Sequence, residues 1–201
     1  MQERIQKTLN GLSGMKLKLL NWARKSASIQ IKAQFQGQKK GTFSYSFAKM
    51  LVLKKIHRQL GLDRCKYFYS GAAPITNESL DFFISLGIPL CEVFGMTETS
   101  GPHSVGLKKM NRISSIGFLN PIMQSRLANK DSDGCGELQI NGRHIFMGYL
   151  NDENKTRETF DRESWLNTGD QAKIEDNYLF ITGRLKELII TAGGENIARK
   201  D

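Results

Sequence analysis

Acidic residues are almost missing from the first third of this 201-residue chain. Residues 1–66 hold two, Glu3 and Asp63, against fifteen Lys or Arg, while residues 67–201 hold eighteen against fourteen, so the overall +9 divides into +13 and −4. Cysteine is scarce as well. Cys65, Cys91 and Cys135 are odd in number and widely spaced, which fits neither a disulfide framework nor a zinc site and predicts reduced, buried thiols. No apolar run approaches the roughly 20 residues of a membrane span, and the first residues lack the order of a secretory signal, so the cytosolic side is expected. Arg/Gly repeats, ribonucleoprotein aromatics and metal-finger spacings are all missing, which argues against nucleic acid. The basic third then reads as solvated helix faces or as a peripheral contact with an anionic membrane. There is no G-x-x-x-x-G-K-[ST] loop, no internal repeat and no low-complexity tract. Of the three histidines, His57 is expected in solvent on a basic helix and His144 in a strand. His103 lies within reach of a substrate, and none has an evident nucleophile partner, which argues against a Ser/His/Asp hydrolase.

What is present suffices for a globular core, at 39% hydrophobic residues. Ile5, Leu9, Leu12, Leu19 and Trp22, then Ala48, Leu51, Val52, Ile56 and Leu60, recur near helical spacing, so residues 1–62 form a basic helical segment. Ile29, Ile31, Ala33 and Phe35 alternate, leaving helix and strand open there. "GQKKG", 37–41, is a turn or link. From residue 63 to 120 the pattern is α/β: "CKYFYS" predicts a strand, Thr76 caps a helix that ends at Gly87, and "IPLCEVF" predicts a second strand. Strand, helix, strand is the signature of a parallel sheet, whose ligands gather beyond the carboxyl ends of the strands. Residues 121–183 read as a small β-rich, barrel-like part, with strands "CGELQI", "HIFMGYL", "AKIE" and "YLFITG" and a hairpin at "EDN". "DENKTRETF" interrupts as a helical turn or two. Residues 184–201 form a last short segment.

Two constellations carry chemistry. In "VFGMTETSGPH" the hydroxyls of Thr97 and Thr99 can donate to phosphate oxygens and the carboxylate of Glu98 can hold Mg²⁺, although Thr-Glu-Thr is also a good helix-capping run. In "WLNTGD" and "ITGRLKELIITAGGENI", a hairpin would bring Asp170 near Arg184 and Lys186, where a carboxylate and a guanidinium can share ribose hydroxyls. A plain surface ion pair explains the same letters.

Taken in order, "SGAAP", "EVFGMTETSGP", "GRHIFMGYL", "WLNTGD" and "ITGRLKELIITAGGENI" resemble the adenylate-forming superfamily of acyl-CoA synthetases, and within it the bubblegum family of long-chain fatty-acid CoA ligases. The match runs from about Asp63 to Ile197. It implies ATP and Mg²⁺ as cofactors, with a long-chain fatty acid and coenzyme A as substrates. Gly71, Ala72, Ala73 and Pro74 match the adenine-side loop. Glu92, Val93, Phe94, Gly95, Met96 and Thr97 match the segment that stacks on adenine and reaches the α-phosphate. Thr97 is then implied at phosphate and Glu98 at the metal, and these two are the catalytic candidates. Asp170 and Arg184 match the ribose pair, Lys186 the hinge of the C-terminal lid, and Gly101 and Pro102 the acyl-substrate wall.

The resemblance also exposes departures. The Gly- and Ser/Thr-rich phosphate loop that the family carries upstream is missing from these residues, as is the lid with its carboxylate-orienting lysine. Phe94 stands where tyrosine is usual, which keeps stacking and drops a hydroxyl. The chain is therefore expected to be the middle of a longer ligase, binding nucleotide weakly and not turning over alone. The other readings are a non-catalytic nucleotide-binding fragment and a basic membrane- or nucleic-acid-binding module centred on residues 1–66.

Overall fold

Leu20, Ala23, Ala27 and Ile31 recur every three or four residues, and in the computed structural model they form the buried stripe of helix α2 (Gly14–Phe35). The structure describes residues 2–38, 41–73, 75–108, 110–185, 188–190 and 196–198. The chain separates into two compact units, residues 1–92 with 107–114, and residues 93–106 with 115–201.

In the first unit α1 (Gln2–Asn10) precedes α2, and the stretch 29–35 left open by its alternation is helix. Ile31, Ala33 and Phe35 are buried there and Ile29 is exposed, because the 3.6-residue period begun at Leu20 runs on through it. Helix α3 (Phe43–Ala48) passes through a π-helical turn (Lys49–Leu53) into α4 (Lys54–Gln59). Ala48 and Leu53 pack on Ala23 and Ala27 of α2, where small side chains let the two backbones approach. Helix α5 (Asn77–Ser85) starts at Thr76, whose hydroxyl accepts the Ser79 N–H at 3.2 Å, and its chain turns away at Gly87 with φ +78°. Both signals were legible in the letters. Phe82, Leu86 and Ile88 join Ile5 in one apolar cluster, and Ile84 joins Ile31, Phe35 and Cys91 in another. Burial of each such side chain contributes on the order of 1.5–3 kcal/mol before the entropy of ordering is counted. Strand β1 (Phe68–Ser70) lies parallel to the start of β2 (Leu90–Met96), in the register Phe68 to Leu90 and Ser70 to Glu92, as the strand–helix–strand pattern predicts.

Two expectations change within this unit. His57 is half-buried rather than solvated, with Nε2 2.8 Å from the Leu86 carbonyl, one of the carbonyls that a helix end leaves without a partner. Among the thiols only Cys91 is buried, and burial pushes it up to about 11; Cys65 is exposed, and Cys135 of the second unit is half-buried.

The second unit begins within β2. From Val93 the strand pairs antiparallel with β3 (Gly101–Val105), with a bulge at Phe94 and Gly95. Strands β4 (Gly117–Phe118), β5 (Gln124–Ala128), β6 (Gly136–Asn141), β7 (Leu166–Glu175) and β8 (Tyr178–Arg184) form one antiparallel sheet in the order β4-β8-β7-β6-β5. β4 and β5 are its two edges, so the sheet is open, and the barrel-like expectation is corrected: closure would need those edges to pair. Ile116, Leu138, Ile140, Leu166, Ala172 and Leu179 make its core. The β7–β8 connection is the two-residue turn Asp176-Asn177, both with positive φ, as the "EDN" signal indicates. "HIFMGYL" is not a strand. It runs as turn and irregular chain into α6 (Glu153–Thr159), which is capped by Asp152. A last antiparallel pair joins β9 (Leu188–Ile190) to β10 (Asn196–Ala198). No helix among the described residues is long and apolar enough to cross a membrane.

Candidate functional site

In the first unit, Gly71, Ala72 and Ala73 leave β1 just past Ser70, which stands in register with Glu92. The loop thus springs from the carboxyl end of β1, beside the middle of the parallel strand β2. Ala72 holds φ +72°, a conformation that costs a side chain with Cβ about 1–2 kcal/mol. Oxygen Oε1 of Glu92 is buried without a hydrogen-bond partner among the described residues, and burial pushes the carboxyl above its usual range, opposed by the backbone N–H of Ile75. Pro74 lies outside the described residues.

In the second unit the opening motif becomes a tight device. A Cβ on Gly95 would sit 2.3 Å from the Gly101 carbonyl oxygen, so only glycine lets β2 and β3 close this near their ends. Thr97, Glu98 and Thr99 form a single 3₁₀ turn, followed by Ser100 at φ +53° and Gly101 at φ +126°. The two threonines differ in kind. Thr99 is buried: its hydroxyl accepts the Met96 N–H at 3.0 Å and lies 2.8 Å from the Met96 carbonyl and 2.6 Å from that of Gly101. Thr97 is exposed, and its hydroxyl has no hydrogen-bond partner among the described residues. Met96 and Phe94 pack against the sheet core, and the Phe94 ring meets His103 edge-on at 6.4 Å. Pro102 is exposed beside Gly101, opposite Gly95 in the β2–β3 register.

Glu98 is gripped twice. Its carbonyl accepts the Phe146 N–H at 2.8 Å, and its carboxylate oxygen Oε1 accepts the Tyr149 hydroxyl at 2.6 Å. That bond holds the Tyr149 phenol above its ordinary range, because ionisation would set two anions together. The letters hid this partner. The signal was Gly148, which has φ +151° and where a Cβ would meet Thr156 Cγ2 at 2.6 Å: the glycine marks a bend that brings Tyr149 round, where the alternating "HIFMGYL" suggested a strand.

Asp170 stands opposite Arg184 on β7 and β8, with Arg184 Nε 3.1 Å from Oδ1. Just before it, the Thr168 hydroxyl accepts the Asp170 N–H at 3.1 Å and donates to the Leu138 carbonyl at 2.8 Å, while the Gly169 N–H goes to Glu137 Oε1 at 3.2 Å. Lys186 lies outside the described residues.

His103 has partners that the letters did not announce. Its Nε2 is 2.8 Å from Ser125 Oγ on β5, and its Nδ1 is 3.0 Å from His144 Nε2. Burial, then the neighbouring His144, push His103 down to about 4, and burial lowers His144 too. His144 belongs to the irregular chain after β6 and not to a strand.

The family model described as AMP-binding enzyme matches residues 19–150. The chain belongs to the AMP-binding enzyme family. Along nearly its whole length it is similar to the bubblegum long-chain fatty-acid CoA ligases. It is 46% identical over 198 residues to the long-chain-fatty-acid–CoA ligase ACSBG2 of Xenopus laevis, covering 98% of this chain and 27% of the relative. It is 43% identical over 196 residues to ACSBG1 of Homo sapiens, covering 97% and 27%. The chain thus spans about a quarter of the length of these relatives. Among solved structures, the ATP-bound MatB of Rhodopseudomonas palustris superposes with a TM-score of 0.61 at 21% identity, over 89% of this chain and 46% of that one. A fatty acyl CoA synthetase of Mycobacterium tuberculosis gives 0.54 at 26%, over 76% and 31%. The AMP-binding fold is therefore common ground.

Among the described residues no three His, Cys, Asp or Glu cluster, and Glu98 stands as a single, half-buried carboxylate on the 97–99 turn. Mg²⁺ is typically held by one or two carboxylates with substrate phosphates and water, so this arrangement fits it.

Proposed function

We propose that the chain supplies the adenylate-handling core of a long-chain fatty-acid CoA ligase. A fatty-acid carboxylate attacks the α-phosphorus of ATP, pyrophosphate leaves, and the thiol of coenzyme A then displaces AMP from the acyl-adenylate to give the thioester. The observation that carries this is the turn at 97–99. Its unpartnered Thr97 hydroxyl stands beside a carboxylate held in place by Tyr149, in a chain whose family binds AMP.

Each residue then has a part. Thr97 donates to an α-phosphate oxygen as charge develops there, which lowers the barrier by electrostatic stabilisation. Glu98 holds Mg²⁺, which when bound neutralises phosphate charge. Asp170 accepts from the ribose hydroxyls and Arg184 donates to them, fixing the nucleoside so that attack is in line. Gly71, Ala72, Ala73 and Pro74, with Glu92 and Val93, receive the adenine side. Phe94 and Gly95 continue toward it and Met96 leads into the turn. Gly101 and Pro102 border the acyl group, and Lys186 is the hinge. The working location is cytoplasmic, peripheral to the endoplasmic reticulum or another membrane. Met15, Leu19, Trp22 and Ile29 support this, as an exposed apolar stripe on α2 with Lys18 and Lys25 along its edge.

A second reading is that the chain binds nucleotide without turning over. Calorimetric titration with Mg·ATP and pyrophosphate exchange with a long-chain acid separate the two. Heat of binding with exchange supports the ligase, binding without exchange the second reading, and no binding in the native chain sinks both.

A further inference from the structure

We infer that Tyr149 is a positioning residue for Glu98, orienting the carboxylate toward the cation without neutralising it. This rests on the reading that Glu98 is the cation's carboxylate. The phenol hydroxyl lies 2.6 Å from Oε1, and no other side chain hydrogen-bonds to Glu98 among the described residues. No Lys or Arg pairs with Glu98 among them either, although a cation is close at hand: Lys155 Nζ sits 4.3 Å from the centre of the Tyr149 ring. The distinction matters chemically. A lysine or arginine on Glu98 would cancel the charge that a divalent ion needs, whereas a neutral phenol fixes the rotamer, occupies one oxygen and leaves the group's net charge and its Oε2 lone pairs to the ion.

The phenol is itself held. The Tyr149 N–H donates to Thr156 Oγ1 at 2.9 Å, Thr156 donates to the Asp152 carbonyl at 2.8 Å, and the Phe146 ring meets the Tyr149 ring edge-on at 4.9 Å. Residue 146 also binds the backbone of Glu98, so the stretch 146–149 fixes the turn and its carboxylate together. A half-buried carboxylate with no hydrogen bond to fix it otherwise samples several rotamers and loses that freedom on binding the ion. Tyr149 removes that cost in advance.

The experiment uses the full 201-residue chain, with ATP binding titrated calorimetrically against Mg²⁺ in wild type, Tyr149→Phe and Glu98→Gln. Y149F keeps the ring and its packing and deletes only the hydroxyl. The expected result is that Y149F raises the Mg²⁺ concentration for half-maximal ATP binding about tenfold. Affinity at saturating Mg²⁺ and the melting temperature stay the same, and E98Q abolishes the Mg²⁺ dependence. An unchanged Mg²⁺ requirement in Y149F, with E98Q defective, overturns the inference alone. Equal Mg²⁺ dependence in E98Q and wild type overturns the underlying reading and the inference with it.

Discussion

Asp170 and Arg184 face each other across β7 and β8 as an unequal pair, the aspartate side chain 8% exposed and the arginine 66%. An ion pair with so exposed a partner contributes little, so Arg184→Ala is expected to cost less than about 1 kcal/mol of unfolding free energy in urea. Its effect belongs to the ligand. Asp170→Ala is expected to weaken ATP binding on the order of 10- to 100-fold, the worth of charge-assisted hydrogen bonds to ribose, and R184A by less. Equal affinity of D170A and wild type would remove Asp170 from the nucleoside site.

The two threonines of the opening turn are expected to fail in opposite ways. Thr99→Val strips a buried hydroxyl of three close backbone contacts and costs about 1–3 kcal/mol of stability. Thr97→Val removes an exposed hydroxyl, leaves stability within about 0.5 kcal/mol and lowers Mg·ATP affinity roughly tenfold. Denaturation and calorimetry on both variants check the contrast.

Gly95→Ala is expected to destabilise the second unit by at least about 1–3 kcal/mol, the ordinary cost of overpacking, because the obstacle is backbone and has no rotamer to escape into. The test is the urea midpoint of G95A against that of Gly41→Ala, where an added Cβ meets nothing within 4 Å.

His103 makes stability depend on pH. Its folded value of about 4 lies below the ordinary 6.5, so between these the unfolded chain binds more protons and stability rises with pH. The contribution is fully present above about 6.5 and is lost as pH falls toward 4, with a slope of at most about 1.4 kcal/mol per pH unit. His103→Gln is expected to flatten that slope in urea titrations between pH 4 and pH 7.5. A slope identical to wild type would mean that another group carries it.

Legibility in the sequence followed the range of the forces involved. Thr76, Gly87 and the Asp176-Asn177 turn act through the backbone within four residues of themselves, so α5 and the β7–β8 hairpin could be read directly. The stretch 29–35 could not, since alternation over four apolar residues fits either period until α2 is known to continue from Leu20. "HIFMGYL" misled for the same reason: its alternation mimics a strand, but Gly148 and its contact with Thr156 bend it into a loop. His103 appeared to have no partner because Ser125 and His144 lie 22 and 41 residues away.

The amino-acid sequence by itself determined the kinds of element, the ordered motifs and the crowding of hydroxyls and carboxylate at 97–99, since those depend on local backbone preference and residue chemistry. Only tertiary structure decided which threonine is exposed, that Tyr149 holds Glu98, that Asp170 is buried while Arg184 stays exposed, and that the β sheet stays open. Each of these depends on which distant segment comes within hydrogen-bonding or packing distance, and residue order along the chain does not encode that separation in space.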